Sequence, residues 1–189
     1  SDSNDNTKIG TLCLGSVTGK QNVAVGSESL RDNVTGSYNV AFGHQSLKEN
    51  VTGSSNVAVG SQSLCLNTGS SNVAVGDQSL VSNITSDYNV AVGYAAGGSR
   101  DSGGKNTFLG ASSDSSTTTN ISNSTALGYQ AKIDKSNQIV LGTTEEFVCI
   151  PSNRGLSIGK ITEPTSGYAL DVNGKVQATI YNAISDYRI

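Results

Sequence analysis

From residue 22 onward the chain repeats one short pattern of apolar and polar positions: NVAVGSESL from Asn22, NVAFGHQSL from Asn39, NVAVGSQSL from Asn56, NVAVGDQSL from Asn72, NVAVGYAAG from Asn89 and NTFLGASSD from Asn106. Gly26, Gly43, Gly60, Gly76, Gly93 and Gly110 are separated by 17, 17, 16, 17 and 17 residues. Looser copies continue at Gly128, Gly142 and Gly159, and a partial copy, TLCLG, ends at Gly15. A unit this short cannot bury its own apolar face, so units must stack into a quasi-one-dimensional array. Fully extended, such a unit would reach about 56 Å, so each is expected to double back as one coil of two short strands joined by turns.

Within each coil the apolar residues alternate along the first strand, as in Val23/Val25, Val40/Phe42, Val57/Val59, Val73/Val75 and Val90/Val92. Alternation sends them to one face of the strand, and their bulk predicts that this face is the coil interior. The residues between them, Ala24, Ala41, Ala58, Ala74 and Ala91, then form a small-residue column on the opposite face, which predicts close packing against a neighbouring chain. A second small column, Ser29, Ser46, Ser63, Ser79, Ala96, Ser113 and Ala131, is followed in four coils by Leu30, Leu47, Leu64 and Leu80. Small beside large is what a narrow interior requires. The asparagine heading each repeat suits either an amide ladder along the stack or a turn with positive φ. The shorter spacing arises because DNVTGSYN and ENVTGSSN become LNTGSSN, a loss between Asn67 and Thr68 that places the 33–37 region and its equivalents in surface turns.

Composition supports extended structure over helix: 35% hydrophobic residues, 22 glycines and neither Trp nor Met among 189 residues. The formal net charge is -3, without a basic run, which removes nucleic acid and anionic membrane as partners. No apolar stretch long enough to span a bilayer occurs, so no membrane insertion is expected. Cys13, Cys65 and Cys149 are too scattered for a disulfide framework or a metal site, and are expected as unpaired thiols, with Cys13 and Cys149 in small apolar strand positions.

Catalytic chemistry finds little support. His44 is the only histidine and lies in a variable column that reads Ser27, Ser61, Asp77 and Tyr94 in other coils, so a triad or a His-based metal site lacks parts. Glu145 and Glu146 are adjacent, and neighbours on a strand point to opposite faces, so they do not form a paired-carboxylate site. Asn33, Asn50, Asn83, Asn120 and Asn123 head N-glycosylation sequons, although turn-forming Asn beside Thr is the favoured account of the recurrence. Tyr38, Tyr88, Tyr94 and Tyr129 sit in turns or in the variable column and are the candidate receptor contacts. No cofactor and no metal are expected.

The repeat NVAVGSQSL resembles the head repeat of YadA-like trimeric autotransporter adhesins, over about residues 22–142, with Ser where that family often has Ala and a longer turn. The resemblance implies a left-handed parallel β-roll in a homotrimer. A second stretch, SGYALDVNGKVQATIYNAISDYRI, is similar to the junction that precedes the self-cleaving intramolecular chaperone domain of phage tailspikes and endosialidases. That resemblance implies a cut between Ile184 and Ser185, with Ser185, Asp186 and Arg188 matching an SDxRxK pattern. Its lysine would be residue 190, so within residues 1–189 the serine has no base to activate it, and no enzymatic activity is expected.

These readings combine into an all-β parallel β-solenoid, or β-roll, with coils of about 17 residues, in an intertwined or side-by-side homotrimer. Residues 1–21 form a lead-in with a partial coil, 22–142 the head repeats and 143–189 a β-rich neck with a hairpin signal at Asn173-Gly174. The expected role is a viral or phage fibre segment on the virion surface, attaching to a host receptor whose expected class is carbohydrate. The alternative is a bacterial cell-surface adhesin head that binds matrix or cell-surface protein.

Overall fold

A computed structural model of the chain describes residues 4–15, 17–99, 103–117, 120–143, 156–158 and 170–172. The chain divides into two units, Ser1–Phe147 and Val148–Ile189. The first contains β1 (Thr7–Ile9), β2 (Val23–Val25), β3 (Val40–Phe42), β4 (Val57–Val59), β5 (Val73–Val75), β6 (Val90–Val92) and β7 (Thr107–Leu109). It continues with β8 (Asp114–Ser115), β9 (Thr125–Leu127), β10 (Lys132–Ile133) and β11 (Ile139–Leu141). In the second unit, β12 (Leu156–Ile158) pairs in parallel with β13 (Leu170–Val172). The junction residues Ile184, Ser185, Asp186 and Arg188, the Asn173-Gly174 turn, Glu145, Glu146 and Cys149 lie outside the described residues.

The fold is an all-β parallel solenoid. Nine strands form one sheet in the order β1-β2-β3-β4-β5-β6-β7-β9-β11, and equivalent residues of successive coils pair, as Val57, Ala58 and Val59 do with Val73, Ala74 and Val75. Coils are joined outside the strands too: Gln62 N–H donates to His44 O at 2.8 Å, and Leu64 N–H to Ser79 O at 3.0 Å.

Among the described residues most coils carry one three-residue strand and no second, contrary to the expected pair. The chain instead doubles back through residues in left-handed conformation. In the coil of Gly60 these are Ser55 (φ 60°), Gln62 (φ 56°) and Leu64 (φ 49°), a pattern that recurs along the stack. Only in the later coils does the second side straighten enough for β8 and β10 to pair. Gly60 itself has φ 130°, and a Cβ there would lie 2.5 Å from Gly76 O, so this corner accepts only glycine.

Side-chain facing is the reverse of the sequence expectation. Ala24, Ala41, Ala58, Ala74 and Ala91 are wholly buried inside their own coils, whereas the flanking valines are half-buried or exposed on the outer sheet face. The alanine column is therefore the lining of the solenoid and is not available to a neighbouring chain. The reason is cross-section. A coil made of one short strand and tight turns leaves room across from the strand for a methyl group only, because the buried Leu30, Leu47, Leu64 and Leu80 fill the space between. Beside them the serine column is buried as expected, each hydroxyl donating to the carbonyl of the preceding glycine, as Ser63 Oγ does to Gly60 O at 3.0 Å.

Two exceptions to the columns compensate each other. Phe108 occupies the alanine position of its coil and is wholly buried. Gly97 occupies the leucine position of the coil before it, where a Cβ would meet Phe108 Cδ2 at 2.8 Å and Leu80 Cδ2 at 2.9 Å.

The first coil also differs in register. β1 pairs with β2 so that Thr7 faces Val23 and Ile9 faces Val25; the partial copy is thus TKIG, ending at Gly10, and not TLCLG. Cys13 then falls in the serine column rather than on a strand, its thiol donating to Gly10 O at 3.1 Å as the serines do.

Candidate binding surface

Among the described residues asparagine, beside the serine column, supplies most of the buried polar chemistry, and Asp114 is the buried acidic side chain. Asn22, Asn39, Asn56, Asn72, Asn89 and Asn106 have no exposed surface, and each side-chain oxygen accepts the backbone N–H of the next member, as in Asn72 N to Asn56 Oδ1 at 2.9 Å and Asn89 N to Asn72 Oδ1 at 2.9 Å. The ladder begins at Asn6 and ends on Ser124 N–H. The left-handed residue is the one before each asparagine, such as Tyr38 or Ser55, so the ladder and not the turn explains the amide.

A second ladder runs through Asn33, Asn50, Asn67 and Asn83. Each donates to a turn carbonyl, Asn50 Nδ2 to Gly53 O at 2.9 Å and Asn67 Nδ2 to Gly69 O at 2.8 Å. The shortened coil loses the counterpart of exposed Val34 and Val51 while keeping this bond. Three of the sequons therefore present a buried, hydrogen-bonded amide that folded protein cannot offer for glycosylation, whereas Asn120 and Asn123 are exposed.

Charged side chains meet on one flank. Arg31 bonds Glu28 at 2.8 Å and Asp32 at 2.8 Å, and Lys48 reaches Glu28 at 3.4 Å. The hydrogen bond from Arg31 holds the Asp32 carboxyl below its usual value, against a smaller upward push from burial. Cys13 and Cys65 are buried free thiols, and burial pushes Cys65 up. Further along, Asp114 is nearly buried and accepts from Ser99 Oγ at 2.5 Å and Ser99 N at 3.1 Å, with Lys132 Nζ at 3.9 Å. These partners saturate one another, and no imidazole accompanies them. Among the described residues no group of three or more His, Cys, Asp or Glu side chains is placed to hold a metal, and His44 is exposed.

The outer face of the nine-stranded sheet is the main unsatisfied surface. One row runs Ile9, Val25, Phe42, Val59, Val75, Val92, Leu109, Leu127, Leu141, apolar in every coil; Ile9, Phe42, Leu109, Leu127 and Leu141 are 62, 56, 44, 41 and 47% exposed. A parallel row runs from Thr7 through the valines to Ile139. With strands about 4.8 Å apart the strip is about 38 Å long.

The four candidate tyrosines are all exposed but are not brought together. Tyr38 and Tyr88 share the left-handed position before the asparagine column, while Tyr94 and Tyr129 follow the glycine column. They consequently border the apolar strip along its two sides. Tyr88 also walls a groove of about 350 Å³ with Thr85, Asp87, Lys105, Ser122 and Asn123, contributed by three successive coils. Sequence reasoning singled out the tyrosines but missed the strip and the groove. The strip was visible as the valine rows, and was assigned to the wrong face. The groove arises from side chains 17 and 35 residues apart, as Tyr88, Lys105 and Asn123 are, which only the coil register aligns.

No protein-family model matches the chain, and no curated protein is similar to it.

Proposed function

We propose that this chain is a segment of a homotrimeric viral or phage fibre head that attaches the particle to a host surface, and that it catalyses no reaction on its ligand. The observation that carries the trimer is the apolar strip: a continuous face of this length is rarely left wet on a monomer, and three copies side by side would cover it. The alanine column plays no part in that contact. A parallel, in-register assembly would set identical rows against one another over all nine strands.

The fibre reading over a bacterial adhesin rests on the resemblance of the C-terminal ISDYRI stretch to a chaperone-release junction, with Ile184-Ser185 as the bond cut in a precursor. Three copies of one weak receptor site would give the avidity attachment needs.

Size-exclusion chromatography with light scattering tests the assembly. The expected mass is three times the 19.4 kDa of the chain; a well-behaved monomer overturns the trimer. Binding of labelled protein to panels of bacterial and animal cells tests attachment, and absence of binding to every cell type overturns it.

A further inference from the structure

The groove beside Tyr88 lies where a side-chain ladder is interrupted. In the coils before it, a side-chain oxygen of each coil accepts a backbone N–H from the previous one: Lys20 N to Ser37 Oγ at 3.0 Å, Ser37 N to Ser54 Oγ at 3.1 Å, Ser54 N to Ser70 Oγ at 3.1 Å and Ser70 N to Asp87 Oδ1 at 2.6 Å. The next position is Gly104, which has no side chain to offer. Asp87 N–H consequently has no acceptor among the described residues, and neither has the N–H of Gly104. A Cβ on Gly104 would lie 2.8 Å from Asp87 O and 3.7 Å from Asp87 N, so the close approach of the two backbones favours glycine at the position from which the earlier coils supply their acceptor. One coil later the ladder resumes, with Ser122 N donating to Ser136 Oγ at 3.0 Å.

Resting on the attachment reading, we propose that this groove binds one or two units of a neutral saccharide. A sugar ring offers an apolar C–H face and hydroxyls that both donate and accept. The groove has the matching parts. The Tyr88 ring is 61% exposed and offers a flat apolar surface. Asp87 N–H, Gly104 N–H and the Lys105 ammonium are donors; Asp87 Oδ2, Ser122 and Asn123 supply acceptors. Asp87 and Lys105 cancel in formal charge, which favours a neutral ligand over an anionic one. The volume, about 350 Å³, is at the small end of ligand sites.

Tyr38 provides a control within the same molecule. It occupies the same column at nearly the same exposure, but Ser54 stands where Gly104 stands for Tyr88, and its hydroxyl fills the ladder.

The test applies the 189-residue chain to a glycan array carrying galactose-, glucose-, mannose- and N-acetylglucosamine-terminated glycans and their sialylated counterparts, followed by calorimetric titration of the best neutral glycan. Expected is binding to a neutral glycan that weakens about tenfold or more in Tyr88→Ala and Gly104→Ser, less in Lys105→Ala, and not at all in Tyr38→Ala. Tyr88→Ala should leave the melting temperature unchanged, so its effect cannot come from misfolding even if Gly104→Ser disturbs its coil. Absence of neutral-glycan binding, preference for the sialylated forms, or equal losses in Tyr38→Ala and Tyr88→Ala overturns the proposal. Cell binding that survives Tyr88→Ala overturns the groove and leaves attachment standing. Array binding without any cell binding does the opposite.

Discussion

The individual residue in this solenoid is judged by whether its polar atoms are paired and whether its backbone tolerates left-handed geometry. Asn56 Oδ1 accepts Asn72 N–H, and its Nδ2 donates to Gly69 O at 2.8 Å, all without exposed surface. Asn56→Ala should cost about 2–3 kcal/mol, by urea denaturation, because it leaves a buried donor and a buried acceptor unmet. Ser55, exposed and at φ 60°, tests the backbone term: Ser55→Gly should be neutral or stabilising and Ser55→Val destabilising by about 1–2 kcal/mol. Asp32 gives the pH response. Its carboxyl is lowered in the folded state from an ordinary 3.8, so its contribution is present above that value and is lost as the pH falls through the lower folded one. The urea midpoint should drop below about pH 4, and less steeply in Arg31→Ala. Sequence alone exposed the asparagine columns but not their purpose, since both a ladder and a turn want Asn. Only the finding that the preceding residue carries the positive φ separates the two.

At the scale of the element, packing is a contract between columns. Phe108 uses the space that Gly97 vacates, so Phe108→Ala should cost about 3–5 kcal/mol. Gly97→Leu should destabilise by overpacking. The double variant restores the small-large arrangement of the other coils, at a φ of 61° that the leucine column already tolerates, and should recover part of both losses in a double-mutant cycle. Strand positions and coil spacing were legible, because period-two alternation and the glycine interval both repeat. Facing was not: alternation defines two faces without saying which is inside, and bulk is a poor arbiter when the interior is narrower than a valine pair. What the structure leaves exposed is the other strand face, with the residues exchanged. Alanine is buried within the chain, and valine lies on the outer face.

For the whole molecule, the strip is where the proposed assembly can be tested. Val59→Glu with Val75→Glu puts two charges into adjacent coils of the most continuous row. The pair should dissociate the proposed trimer to monomers in light scattering while leaving the alanine-lined interior untouched. A trimer that persists would place the contact elsewhere. Stacking was readable from the repeat itself, whereas the groove beside Tyr88 depends on one missing hydroxyl and could not be anticipated from any single repeat.

The in-register columns also make length a quantised variable. Removing or duplicating one full repeat between equivalent glycines shifts everything beyond it by one strand spacing and leaves every ladder in phase. A gain or loss of part of a repeat anywhere but in an exposed turn would set alanine against valine and amide against aliphatic. The coil that dropped a residue beside Asn67 did so at an exposed site, with all its columns intact. Length can therefore change in whole steps without redesign of the cross-section, and a groove made in one coil, such as that beside Tyr88, can be carried along the stack simply by changing how many coils precede it.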